Sequence, residues 1–251
     1  MKKHNQFGFT LAEVLITLAI IGVVAAMTLP TLIQNKQDKE LIVRTKKLYS
    51  DLSNALVLAQ KDLDVIGDNS VLFNTTDSSY EVAKKLGSYL NAVKVCNNKN
   101  DNGCAQYYYE VKYATLRLDA NNQGTVENLR SPLIVLSNGA IVRVANAQRP
   151  NCTRVETSTK TDEYGRPLKN PDGSNQTDNW TSYSCGYFYV DVNGSRTPNQ
   201  YGRDVYEFPI YREKLTFQVH AFKGGKSLQN IFSGNDKLEY ENYKKGGSYN
   251  R

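Results

Sequence analysis

The sequence predicts an α+β protein in which a long N-terminal helix, membrane-spanning and then amphipathic, precedes a domain of antiparallel strands closed by two disulfides. Three observations carry this reading. From Phe9 to Ile33 the chain holds one charge, Glu13, and a helix needs about 20 apolar residues to cross a hydrocarbon layer of about 30 Å. Beyond it the helical spacing continues while polar residues take over one side. After Cys104 the period changes to strand-like alternation.

The apolar run is long enough to span a bilayer. The stretch QNKQDKELIVRTKKLYSDLSNALVLAQKDLDVIG then places Leu41, Leu48, Leu52, Ala55, Leu56, Ala59 and Leu63 at three- and four-residue steps, the pattern of a helix with one apolar face. An unbroken helix from Phe9 to Asp64 would extend roughly 80 Å at 1.5 Å per residue. Pro30 interrupts the pattern, because a proline removes one helical hydrogen bond and kinks or loosens the turn before it. Gly67 and Asp68 end the run, and SYEVAKKLGSYLNAV follows as a second, shorter helical stretch.

Strand grammar begins with YYYEVKYATLRLD. In SPLIVLSNGAIVRVAN two apolar runs flank Ser137, Asn138 and Gly139, which is a hairpin signal. The polar stretch from Arg149 to Asn179 reads as a loop, and strand character returns in YSCGYFYVDVNG and DVYEFPIYREKLTFQVH. Seventeen tyrosines against two methionines also favour a sheet-rich domain with wet faces. Four cysteines in polar surroundings suggest disulfides in an oxidising compartment. Three connectivities are possible. The short loop CNNKNDNGC makes Cys96 with Cys104 the natural first pair and leaves Cys152 with Cys185, and the spacings do not suit zinc.

Glu13 admits three explanations. A secretory signal peptide would place Lys2 and Lys3 before the apolar core and cut after Val24, Ala25 and Ala26. That core is longer than the usual seven to fifteen residues and carries a carboxylate with no purpose there. An ordinary membrane anchor would let Glu13 reach the interface, since it lies only about 6 Å along the axis from Phe9.

The third explanation starts from the flanking residues: a short basic leader, MKKHNQFG, then Phe9, Thr10, Leu11 and Glu13 as the acidic fifth residue after Gly8. This start resembles the prepilin signal of type IV pilin-like proteins and type II secretion pseudopilins. The resemblance implies cleavage between Gly8 and Phe9 by a prepilin peptidase and methylation of the new amino terminus. Lys2 and Lys3 leave with the leader, lowering the formal charge of +6 by two. It also implies that Glu13 meets the amino terminus of a neighbouring subunit during assembly, and that Pro30 is the helix-loosening proline common in such helices. An ammonium and a carboxylate are each costly in a dry environment and much less so when paired.

The implied organisation is a leader over 1–8, a transmembrane and assembly helix over 9–33, its amphipathic continuation over 34–66, and a globular α+β domain over 67–251. In such proteins the distal half of the helix packs on the antiparallel sheet. The implied partners are other pilin-like subunits, the prepilin peptidase and an inner-membrane assembly platform. The implied location is the inner membrane, single-pass, with the domain in the periplasm or outside the cell, and a filament after assembly. Lys36, Lys39, Arg44, Lys46 and Lys47 outnumber Lys2 and Lys3, which by the positive-inside rule favours the opposite orientation. Interleaved Asp38, Glu40 and Asp51 instead suit a solvated or ion-paired helix face.

The segment DVNGSRTPNQYGRDVYEF also resembles loops of secretion pseudopilins, some of which hold calcium. Asp191, Asn193, Ser195 and Asp204 offer hard oxygen ligands, but their spacing departs from the EF-hand pattern and also suits turns made by Asx side chains. No other cofactor is expected. His4 and His220 are the only histidines, and no nucleophile or phosphate-loop motif argues for an enzyme. Nucleic-acid binding has little support beyond the tail YENYKKGGSYNR. The sequence thus points to a structural subunit of a type II secretion pseudopilus, supporting protein secretion. The alternatives are a type IV pilus or competence minor pilin, or a membrane-anchored periplasmic binding domain.

Overall fold

The computed structural model describes residues 10–115, 126–162, 166–216 and 228–233, together with 238, 240, 241 and 243. The chain divides into two compact units, one ending at Glu40 and one beginning at Leu41.

Helix α1 covers Leu11–Asp62 and remains helical through Pro30. Its segment up to Ile33 is rich in Leu, Ile, Val and Ala with its large apolar side chains exposed. Thr17 and Thr28 turn their hydroxyls back onto the carbonyls of Glu13 and Val24, so their polar atoms are satisfied within the helix. The helix ends two residues before Asp64, which lies at φ 54°, and Gly67 at φ 81° completes the reversal. Leu63 falls beyond the helix and is exposed rather than continuing the apolar face.

In the second unit, α1 from Leu41 onward buries Leu41, Ile42, Leu48, Leu52, Ala55, Leu56 and Ala59. Helix α2, Ser79–Gly87, begins with a capping box in which Ser78 and Glu81 each bond the other's backbone N–H. Strand β1 is Ala92–Cys96, β2 Glu110–Lys112, β3 Val126–Asn128, β4 Leu133–Leu136, β5 Ile141–Asn146, β6 Arg154–Thr159, β7 Thr177–Ser182, β8 Ser184–Asp191 and β9 Val205–Tyr211; a short helix α3 spans Leu228–Phe232. The main sheet has the order β1-β4-β5-β8-β9 with antiparallel neighbours throughout.

Alternation along these strands makes two cores, because successive side chains point to opposite faces. Ile134, Leu136, Val142, Val144, Phe188, Val190, Phe208 and Ile210 share one core with α1 and α2. Leu133, Ile141 and Val205 join Cys96, Cys104, Val111, Leu129 and Tyr201 in the other. The expected hairpin lies between β4 and β5, with Gly139 at φ 86° in its turn. Pro209 sits in β9, the edge strand, where a missing N–H is tolerated.

Both disulfides form, Cys96 with Cys104 and Cys152 with Cys185. The stretch expected as a loop between Arg149 and Asn179 differs. It contains β6 and the first half of β7, two strands paired from Arg154 with Ser182 to Thr159 with Thr177. Almost every residue of this ribbon is exposed on both faces. No apolar alternation therefore marks it in the sequence, and the Cys152–Cys185 bridge closes its base. Of YYYEVKYATLRLD, residues 116–119 lie outside the described residues; in the rest, β2 covers Glu110–Lys112, and Tyr107 belongs to a 3-10 turn over Ala105–Tyr107.

The distal end of α1 is tied to β9 by buried polar groups. Gln60 Nε2 donates to Asn69 Oδ1 at 2.7 Å, Gly67 N–H donates to Gln60 Oε1, and Asn69 Nδ2 donates to the Tyr211 carbonyl at 2.8 Å. Tyr49 adds a hydroxyl bond to the Leu215 carbonyl and an edge contact with Phe208.

Candidate functional site

Gly8 and Phe9, with His4 and His220, lie outside the described residues. The described chain begins at Thr10, the residue that caps α1. Thr10 N–H and its hydroxyl both donate to Glu13 Oε2 at 2.8 Å, and Glu13 N–H donates to Thr10 Oγ1 at 3.2 Å. This is a reciprocal capping box, and a carboxylate in the first turn also complements the helix dipole. Glu13 is exposed, so its charge is open to further partners while part of its hydrogen-bonding capacity is met within the chain. The local signal for this cap is T-x-x-E before an apolar run, Thr10 to Glu13. Pro30 lies seventeen residues after Glu13, within α1.

A prokaryotic N-terminal methylation motif matches residues 3–29. The chain carries a prepilin-type methylation motif. The motif takes in Gly8, Phe9, Thr10 and Glu13 and stops one residue before Pro30. The chain is also similar to the type II secretion system core protein G of Aeromonas hydrophila, 37% identical over 65 residues, covering 25% of this chain and 43% of that protein. It thus spans less than half the length of the curated relative it matches. No solved structure gives a significant match. The motif and the apolar part of α1, which is long and apolar enough to cross a membrane, fit anchoring in the inner membrane.

The second candidate feature is the turn between β8 and β9. Asp191 ends β8 and Asp204 immediately precedes β9, and both are fully buried. Asp191 accepts from the Asn193 N–H at 3.1 Å and from the Tyr109 hydroxyl at 2.8 Å. Asp204 accepts from the N–H groups of Asn199 and Gln200 at 2.8 and 2.7 Å. Burial raises both carboxyls above the usual carboxylate range, and for Asp191 the charge of Asp204 adds to it. Burial and the two carboxylates also hold the Tyr109 phenol well above its ordinary value, so it stays a hydroxyl donor.

The calcium expectation can be tested on these residues. Asn193 is 9% exposed, its Nδ2 donates to the Thr197 carbonyl at 3.2 Å, and its buried Oδ1 has no hydrogen-bond partner. The turn thus buries oxygens of the kind calcium takes, but each of the four carboxylate oxygens already accepts an N–H or O–H within the chain. Ser195 is exposed and is not brought to the pair. Among the described residues no third carboxylate, histidine or cysteine completes a cluster with them. Asp191, Asn193 and Asp204 are buried in this turn, and Ser195 is exposed.

Proposed function

We propose that this chain is a pilin-like structural subunit of a type II secretion pseudopilus. It is inserted as a precursor, cut between Gly8 and Phe9, methylated on the new amino terminus, and assembled through α1 with other pilin-like subunits. The observation that carries the reading is the methylation motif over residues 3–29. Similarity to a type II secretion core protein favours secretion over a type IV pilus. The peptidase would act at Gly8, and an assembly platform in the inner membrane would extract the mature subunit.

In this reading Glu13 draws the ammonium of a neighbouring Phe9 while Thr10 orients the carboxylate from within the chain. A charged pair excluded from water needs close geometry and satisfied lone pairs, and the Thr10 cap supplies part of that satisfaction. Gly8→Val should leave the uncut precursor in the membrane. Glu13→Val should be cut normally yet fail to enter filaments; incorporation at the wild-type level would contradict the role given to Glu13.

A further inference from the structure

The stretch around Glu241 is seated on the domain by its main chain and by two aromatic rings. Glu241 N–H donates to the Ala114 carbonyl at 2.7 Å, and the Glu241 carbonyl accepts from Gln200 Nε2 at 2.9 Å. Gln200 is 1% exposed and the same Nε2 reaches the Tyr113 carbonyl at 3.1 Å, so one buried amide joins the segment to its seat. Arg203 Cζ lies 4.7 Å from the centre of the Tyr240 ring, and Lys112 Nζ lies 5.4 Å from the centre of the Tyr243 ring. Lys112 Nζ also donates to the Tyr243 carbonyl at 3.4 Å, and the Tyr243 hydroxyl donates to the Tyr113 carbonyl at 2.7 Å. Burial raises the Tyr243 phenol to about 12, so it remains a donor.

The seat itself is held from behind. Lys112 N–H donates to the Asn199 carbonyl and Tyr201 N–H donates to the Lys112 carbonyl, both at 2.9 Å. The segment therefore meets a fixed pair of carbonyls, a buried carboxamide and two cations. Burial and the neighbouring Arg203 charge lower the Lys112 ammonium from its ordinary value, and a ring face over each cation offsets that strain. Both main-chain groups of Glu241 are gripped while the residue is itself exposed. Such a seat reads an added strand by its backbone and selects an aromatic on either side, in the pattern aromatic-x-x-aromatic. Tyr240 and Tyr243 are the one pair of tyrosines in the sequence that stand three residues apart.

We propose that this seat is a recognition site for extended aromatic-x-x-aromatic segments, and that residues 238–243 of a second copy of this chain occupy it by exchange between neighbouring subunits. Exchange of an identical element remakes the same contacts in the second copy and asks for no new surface. The sequence supplies the leash. Phe232 packs on the core, and Ser233 to Lys237, SGNDK, is a polar run of turn-forming residues. With Leu238 released, the six steps from Phe232 reach at most roughly 20 Å, so the exchange joins only copies that already lie side by side. The seat and its occupant both belong to this chain, so the exchange does not depend on which filament the chain enters.

Two preparations of the mature full-length chain in detergent test the exchange, one carrying Ala114→Cys and the other Glu241→Cys. Neither can form the 114–241 bridge alone. Mixed under mild oxidation they should give a dimer linked between 114 and 241, identified by mass spectrometry of the joined peptides. Adding Tyr240→Ala and Tyr243→Ala to the Glu241→Cys chain should lower its yield about 10-fold. No linked dimer, or a yield indifferent to the two tyrosines, would overturn the exchange. A fluorescent peptide of residues 237–245, read by anisotropy, tests the seat. The full-length Tyr240→Ala/Tyr243→Ala chain should bind it about 10-fold more tightly than wild type, whose own segment competes. The same peptide with both tyrosines replaced by Ala should bind neither chain. Absence of binding to the double variant, with its β8 amides still protected from hydrogen exchange, would overturn the seat.

Discussion

Replacing Asn69 by Ala tests how firmly the distal end of α1 is joined to the sheet. Asn69 is fully buried and Gln60 is 3% exposed. The substitution removes the acceptor for Gln60 Nε2 and the donor to the Tyr211 carbonyl, while the Asn69 main-chain bond to Arg212 remains. Two buried polar groups are left without partners, at about 1–3 kcal/mol each. Some relief comes from rearrangement of Gln60, whose Oε1 stays bound to Gly67, so the expected loss is about 2–5 kcal/mol. At 1.36 kcal/mol per tenfold, that is roughly 30- to several-thousand-fold in the opening equilibrium. Hydrogen exchange at the β8 amides of the full mature chain in detergent reads it, since these lie in the central part of the sheet and open with global unfolding. In Gln60→Ala/Asn69→Ala the two losses should fall short of additive, because the partners share a bond. A change under about 1 kcal/mol for Asn69→Ala would show that the clamp does not carry the junction.

Three further outcomes follow from the same structure. Cys152→Ala with Cys185→Ala opens a link of 33 residues and should lower stability by about 3–4 kcal/mol on the chain-entropy account, read as a fall in melting temperature; proteolysis should then fall first on the β6–β7 ribbon. Asp68 has its carboxyl lowered to about 2, chiefly by the hydrogen bond from Arg212. Its folded value lies below its unfolded one, so its contribution is present above about pH 4 and is lost as pH falls toward 2; Asp68→Asn should flatten an unfolding profile over that window, and an unchanged slope would count against the pair. Thr10→Ala removes the hydroxyl side of the helix cap and should leave cleavage intact while lowering filament yield, with Thr10→Ser restoring it.

Much of the architecture was legible because it depends on periodicity. The lone charge between Phe9 and Ile33, the spacing of Leu41 to Ala59 and the run around Gly139 each impose one conformation and one buried face. The β6–β7 ribbon was not legible, because residues such as Thr157, Ser158 and Asn179 are solvated on both faces and carry no alternation. Tyr109 lay out of reach for another reason. Its role comes from a contact with Asp191 across 82 residues, and one more tyrosine in YYYE has no local pattern to separate it. Asp191, Asn193 and Asp204 were named from their oxygen chemistry, and burial sorted them from Ser195. The Thr10 cap is a local signal, Thr10 and Glu13 three residues apart ahead of an apolar run.

The central claim is that the functional chain starts at Phe9. Intact-mass measurement with terminal fragmentation of the membrane-extracted protein tests it most directly. The predicted product lacks residues 1–8 and carries a methyl group on the Phe9 nitrogen; a mature terminus at Met1 or at Met27 would contradict the account.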